Sequence, residues 1–331
     1  MKISVVGAGA WGTTLAILLH YNGHKVTLWE YDKHYSKQLL KTRENKTYLP
    51  GIRLPDGISI THEFEEAHND KNLIILAIPS QFLRDVIKKV SFNSIKNSIL
   101  ISVSKGIEIK TSMTMSRMIK DVFPEISESQ IGVLSGPSHA EEVSIRIPTA
   151  VVAASREKET SKTIQSAFMT SYFRVYSSTD ILGVELGGAF KNVIAIGAGI
   201  IEGAKFGDNT KAAIMTRGIA EISRLGITMG ARPETFAGLS GMGDLIVTCM
   251  SKHSRNRYVG EKIGQGMKLK DVLKSMTAYA EGVQTSKSAR ELALKYKVET
   301  PITNEVYKML FEDKDPIKST NDLMTRDMRE E

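Results

Sequence analysis

At 331 residues the chain is longer than one ordinary domain, and two domains are expected. With 41% hydrophobic and 24% charged residues it can bury a large core, and its single cysteine, Cys249, excludes an intrachain disulfide or a cysteine-ligated zinc cluster and suits a reducing cytosol. The formal charge of +7 and pI near 9.2 admit anionic partners, but the basic residues are scattered among acids, which favours attraction of small anions over a nucleic-acid surface.

The apolar run from Ile3 to Leu19 after Met1-Lys2 has the look of a signal peptide. Glycines interrupt it at Gly7-Ala-Gly-Ala-Trp-Gly12, and Tyr21-Asn-Gly-His-Lys25 offers no small-residue cleavage site. It therefore reads as strand Ile3–Val6, a glycine turn, and helix Trp11–Tyr21 with Leu15, Leu18 and Leu19 facing inward. No later stretch reaches about 18 uncharged apolar residues, so a soluble, cytoplasmic protein without membrane insertion is expected.

Lys25–Glu30 is the second strand. The intervening G-x-G-x-x-G pattern assigns Gly7 to a tight turn, Gly9 to close approach of a pyrophosphate, and Gly12 to helix–strand packing. Glu30, eighteen residues after Gly12, stands where an acid accepts hydrogen bonds from the ribose hydroxyls and repels a 2′-phosphate, which leans towards NAD over NADP. The alternative is that Glu30 is a solvated strand end, with Tyr31 or Lys33 facing the ribose instead.

Further strands follow at Leu73–Ile78, Ile99–Val103, Ile131–Leu134, Ala150–Ala154 and Phe173–Ser177, with a helix near Glu157–Met169. Ligands of an open parallel sheet gather at its carboxyl edge. Lys105 in Ser104-Lys-Gly106, and the small residues of Ser135-Gly-Pro-Ser-His-Ala140, fall at that edge, and Lys105 suits a phosphate or carboxylate. After Ser178 helical periodicity takes over. The expectation is an α/β Rossmann-like dinucleotide-binding domain over residues 1–179 and an all-α substrate-binding and catalytic domain over 180–331.

The helical half opens on Glu185-Leu-Gly-Gly-Ala-Phe-Lys-Asn-Val-Ile-Ala-Ile-Gly-Ala-Gly-Ile-Ile201, a run without strand alternation and with one charge, Lys191, after Glu185. A lysine there either faces a cleft, with its pKa lowered by burial and suited to proton transfer, or snorkels to the surface. Gly187 and Gly188 leave its approach open. Gly238-Leu-Ser-Gly-Met-Gly-Asp244 brings a carboxylate close to a ligand or forms a plain turn. Ser254 can cap a helix whose first turn carries Arg255 and Asn256, a phosphate-binding combination. The seven histidines lack metal-ligand spacing, and no metal is required.

Gly7-Ala-Gly-Ala-Trp-Gly-Thr-Thr-Leu-Ala16, Val103-Ser-Lys-Gly106, Leu134-Ser-Gly-Pro-Ser138, Glu185–Val193, Gly241-Met-Gly-Asp-Leu245, Ser254-Arg-Asn-Arg257 and Glu281-Gly282, in this order, resemble bacterial NAD(P)-dependent glycerol-3-phosphate dehydrogenases over essentially the whole chain. The resemblance implies Lys191 as general acid/base at the substrate C2 oxygen, with Asp244 holding the lysine and the substrate oxygens in register. It implies Ser254, Arg255 and Asn256 at the phosphate, and Gly136 and Ser138 at the substrate. Lys105 would touch substrate and nicotinamide. Ala10, Trp11, Tyr31, Tyr48, Ala140, Arg255, Tyr279 and Glu281 would join the glycines and Glu30 on the cofactor side. It also suggests a homodimer, and a role supplying glycerophospholipid synthesis. Two positions depart from the family: Ala10 replaces a common serine, and Glu30-Tyr-Asp32 stands where NADP-accepting members often carry arginine or histidine. A β-hydroxyacid dehydrogenase acting on a carboxylate, and a non-catalytic dinucleotide-sensing protein, are the competing readings.

Overall fold

The structure, a computed structural model, describes residues 1–276 and 279–328. Eight strands form one sheet in the order β3-β2-β1-β4-β5-β6-β7-β8 among the described residues. They are β1 (Lys2–Val6), β2 (Lys25–Trp29), β3 (Ser59–Thr61), β4 (Leu73–Leu76), β5 (Ile99–Ser102), β6 (Ile131–Ser135), β7 (Thr149–Ala154) and β8 (Phe173–Ser178). All four residues of β4 are buried, as expected of a central parallel strand covered on both faces. Strand β7 runs antiparallel to β6, and β8 pairs parallel to β7, so the otherwise parallel sheet reverses direction once towards its far edge. Strand β3 lies outside the expected strands: three residues are too few to show a period in sequence.

The chain forms two compact units: Met1–Lys105 with Met113–Glu185, which holds the sheet, and Gly106–Ser112 with Leu186–Glu331, which is helical. Within the helical unit, Ser288 Oγ donates to the Ile107 carbonyl at 3.2 Å, tying the Gly106–Ser112 segment to the helix Glu281–Lys295.

Helix Ile181–Gly203 is long and apolar enough to cross a membrane, but its apolar window is wholly buried inside the protein. Its burial depends on glycine. A Cβ on Gly199 would lie 2.0 Å from the Arg257 carbonyl oxygen, and one on Gly203 2.1 Å from that of Glu261. Reciprocally, a Cβ on Gly260 would lie 1.9 Å from the Ile196 carbonyl oxygen, and one on Gly264 2.3 Å from that of Ile200. Helices Ile181–Gly203 and Arg255–Gly264 therefore meet backbone against backbone, which only residues lacking a side chain allow.

Candidate functional site

In the sheet unit, parallel pairing aligns the carboxyl ends of β1, β2, β4 and β5, with Val6 beside Trp29 and Leu76, and Leu76 beside Ser102. The glycine turn leaves β1 at this edge. Gly7 has φ +115°, and a Cβ there would meet the Ala77 carbonyl oxygen at 2.5 Å. A Cβ on Gly12 would fall 1.9 Å from the Gly7 carbonyl oxygen, whereas one on Gly9 would meet no described atom within 4 Å. Gly7 and Gly12 thus tighten the turn while Gly9 leaves open space in front of it. No side chain caps the helix Ala10–Tyr21 that follows, so its first N–H groups and dipole are suited to an anion. This geometry fits the pyrophosphate of a dinucleotide.

Glu30 is buried, 5% exposed, and is not the solvated strand end it could have been. One carboxylate oxygen accepts the Asp32 N–H at 3.0 Å. Burial raises its pKa, against the lowering effect of the Asp32 N–H and of backbone bonds from Ala8 and Tyr31. Tyr31 itself is 78% exposed. Ala10 and Ala140 pack in one small apolar cluster with Leu49, and Trp11 and Tyr48 pack against it, so four of the expected cofactor-side positions gather beside the glycine turn. Asn45, fully buried, holds that cluster to the turn: its amide donates to the Ala8 carbonyl at 2.7 Å and to Thr13 Oγ1 at 2.8 Å, and its oxygen accepts the Tyr48 N–H at 3.1 Å.

Lys105, Gly136 and Ser138 meet at one atom. Lys105 Nζ and Ser138 Oγ both donate to the Gly136 carbonyl, at 2.8 and 2.9 Å. Gly136 has φ +138°, and a Cβ there would press on Val151 Cα at 2.9 Å, so the loop can turn this carbonyl only with glycine.

In the helical unit, Lys191 is 5% exposed and Asp244 1%. Lys191 does not snorkel. Its Nζ donates to Asp244 Oδ1 and, at 2.7 Å, to Thr248 Oγ1. Thr248 passes its own hydroxyl hydrogen to the Asp244 carbonyl at 2.6 Å, which turns a lone pair towards the lysine. Asp244 begins the helix Asp244–Met250. Gly187 serves packing: a Cβ there would meet the Ser240 carbonyl oxygen at 2.5 Å, so α-helix and glycine turn close on each other beside the lysine.

Ser254 caps helix Arg255–Gly264 as expected, its Oγ accepting the Arg257 N–H at 3.2 Å. Arg255 is exposed, and its Nη1 donates to the Tyr279 carbonyl at 3.4 Å. Burial, then the charge of Glu281, pushes the Tyr279 hydroxyl pKa up. The buried Asn256 amide bonds to Asn192 and to the Gly282 N–H.

Comparison with known proteins gives these features a family. A model described as NAD-dependent glycerol-3-phosphate dehydrogenase N-terminus matches residues 2–161, and its C-terminus counterpart matches residues 180–321. The chain is 51% identical over 331 residues to a protein of Chlorobium phaeobacteroides (strain DSM 266 / SMG 266 / 2430), covering 100% of this chain and 99% of the relative, and named glycerol-3-phosphate dehydrogenase (NAD(P)+). The chain belongs to the NAD-dependent glycerol-3-phosphate dehydrogenase family. A relative of the same name from Geobacter sulfurreducens is 50% identical over 330 residues, covering 100% of this chain and 98% of the relative. The crystal structure of glycerol-3-phosphate dehydrogenase from Coxiella burnetii superposes with a TM-score of 0.93 at 33% identity, over 98% of this chain and 99% of that one. The Rossmann-like sheet followed by a helical half is thus the glycerol-3-phosphate dehydrogenase architecture.

Within this family member, the geometry adds residues that the sequence reading passed over. Thr248 lies one helical turn after Asp244, a spacing that places both on one face and could have been noticed. Asn45 and Asn192 carried no local signal. Arg257, grouped with the phosphate motif by its position, is committed elsewhere: its guanidinium contacts Glu202 at 2.8 Å, Glu261 at 3.1 Å and the Ser251 carbonyl at 3.1 Å. Cys249 is fully buried, and burial pushes its thiol up to about 12, which makes it an inert packing group.

Proposed function

We propose that the protein interconverts sn-glycerol 3-phosphate and dihydroxyacetone phosphate with NAD(P)+ and NAD(P)H, running reductively in the cytoplasm to supply glycerophospholipid synthesis. The observation that carries this reading is a buried ammonium, Lys191, shared by Asp244 and Thr248 in the same unit as a Ser254-capped helix start bearing Arg255. The bound dinucleotide supplies or accepts the hydride at substrate C2. Lys191 Nζ gives the proton to the C2 oxygen during reduction and takes it back during oxidation. Asp244 and Thr248 hold the amine in place, so its proton is aligned before the carbonyl oxygen gains charge. The Arg255 guanidinium and the first-turn N–H groups of its helix neutralise the substrate phosphate. Burial of Lys191 and Asp244 keeps bulk water from competing for that proton.

We assign residues 1–179 to dinucleotide binding and 180–331 to substrate binding and catalysis. Substrate binding is assigned to Lys105, Gly136 and Ser138 of the sheet unit and to Lys191, Asp244, Ser254, Arg255 and Asn256 of the helical unit. Gly7, Gly9, Ala10, Trp11, Gly12, Glu30, Tyr31, Tyr48, Lys105, Ala140, Arg255, Tyr279 and Glu281 serve the dinucleotide. The acid at Glu30 supports a preference for NAD over NADP. The working form is a homodimer whose ligands are small molecules, with neither nucleic acid nor membrane as a partner.

The deciding experiment is a spectrophotometric assay: NADH oxidation with dihydroxyacetone phosphate and not with the keto forms of hydroxyacids. Turnover of the carboxylate series instead would move the protein to the β-hydroxyacid dehydrogenases, and binding without turnover would make it a sensor. Lys191→Ala should lower kcat by orders of magnitude with NADH affinity retained; near-normal turnover removes the lysine from the mechanism. Glu30→Gln keeps an acceptor for the Asp32 N–H and should shift preference towards NADPH.

A further inference from the structure

Helix Glu281–Lys295 starts at Ala280, which offers no side chain to its orphan N–H groups. The missing cap comes from another helix. Asn256 Oδ1 accepts the Gly282 N–H at 2.9 Å, and Asn256 Nδ2 donates to Asn192 Oδ1 at 2.9 Å. Asn192 directly follows Lys191, and Asn256 directly follows Arg255. The three residues meet without slack: a Cβ on Gly282 would lie 2.6 Å from the Asn192 carbonyl oxygen and 2.8 Å from Asn256 Oδ1. Asn192 and Asn256 are both buried, at 4% and 8% exposed. A second link runs alongside, from Arg255 Nη1 to the Tyr279 carbonyl at 3.4 Å.

We propose that Asn256 is a positioning residue, a latch that fixes the Tyr279–Gly282 segment against the phosphate turn and the lysine's helix, and so couples phosphate occupancy to dinucleotide affinity. This rests on the functional reading above, which gives Ser254 and Arg255 to the phosphate and Tyr279 and Glu281 to the dinucleotide. The amide's oxygen and one of its hydrogens are spent on the protein, and its replacement releases a helix start rather than a single ligand contact. An anion seated on the Ser254–Arg255 turn stiffens Tyr279, which Arg255 holds, and Gly282, which Asn256 holds, and these flank the segment that the functional reading gives to the dinucleotide.

The test titrates NADH into the purified full-length protein by fluorescence, with and without saturating inorganic phosphate. Phosphate should tighten NADH binding several-fold in the wild type and not in Asn256→Ala, whose NADH Kd should rise about tenfold, the scale of one buried hydrogen bond. Asn256→Asp retains the acceptor for the Gly282 N–H, and its NADH Kd should stay within about threefold of wild type while its KM for dihydroxyacetone phosphate rises from charge repulsion. An NADH Kd unchanged in Asn256→Ala, with only the KM for dihydroxyacetone phosphate raised, overturns the latch and leaves Asn256 with its substrate role alone. Hydrogen exchange of the wild type guards against a misfolded variant: phosphate should slow exchange of the Gly282 amide about fivefold, and unchanged exchange also overturns the proposal. Failure of the functional reading shows separately, as absence of turnover with dihydroxyacetone phosphate in the wild type.

Discussion

Lys191 and Asp244 form an ion pair almost wholly removed from water, at 5% and 1% exposed, and the consequence can be measured as a coupling energy. Asp244→Asn keeps the shape and removes the anion, which leaves a buried ammonium facing an amide and the Thr248 oxygen. Breaking a buried pair from one side costs about 3–5 kcal/mol, because the remaining charge is uncompensated. Lys191→Met does the same from the other side and should cost a similar amount. The double variant contains neither charge, and its loss should stay near that of one single variant instead of reaching the sum. The expected coupling is therefore at least ~2 kcal/mol. Urea unfolding followed by circular dichroism is the assay, since both tryptophans, Trp11 and Trp29, lie in the sheet unit. At a slope of about 3 kcal/mol/M, each single variant should lower the midpoint by roughly 1 M. If the two single losses add to within about 0.5 kcal/mol, the charges do not act as a pair and the argument for a lysine held by Asp244 fails.

Arg255→Ala should raise the KM for dihydroxyacetone phosphate about 10–100-fold, the worth of a charged hydrogen bond, with little change in kcat; an unchanged KM removes the phosphate assignment. Gly260→Ala drives a methyl group to 1.9 Å from the Ile196 carbonyl oxygen, and because backbone is the obstacle the helices must part; a loss of about 3 kcal/mol is expected in urea unfolding, and none would show that the seam has slack. Glu221 is 3% exposed and takes the Ile302 and Thr303 N–H groups at 2.7 and 3.2 Å, yet burial raises its pKa to about 7 from an ordinary 4.5. A raised carboxyl stabilises the fold when protonated: its contribution is complete below pH 4.5 and is lost as the pH rises through about 7, a total of about 3 kcal/mol. Thermal midpoints should therefore fall between pH 5 and 8 more steeply in the wild type than in Glu221→Gln, and parallel curves would show that Glu221 does not titrate in this range.

Local chemistry was legible before any coordinates. The turn Gly7–Gly12, the alternation of strands and helices up to Ser178, the apolar run around Lys191 and the cap at Ser254 each depend on neighbours within a few residues, where period, hydrogen-bonding reach and φ preference leave few choices. Most of the expected site residues lie in such segments. Lys105, Gly136 and Ser138 were individually legible, but their convergence on a single carbonyl was not.

Tertiary structure decided whatever depends on partners far along the chain. Strand polarity is one such matter: β7 has an ordinary strand composition, and only its packing sets it against β6 in the opposite sense. Side-chain commitment is another. Arg257 and Arg255 are identical residues in one motif, yet Glu202 and Glu261 claim the first while the second stays exposed. The choice between a snorkelling and a buried, paired lysine turned on Asp244 and Thr248, more than fifty residues away in sequence, and the Asn192–Asn256–Gly282 hydrogen bonds span ninety residues. A donor's partner is fixed by burial, because a polar group removed from water must find another group there, and which groups are buried together is a property of the folded chain.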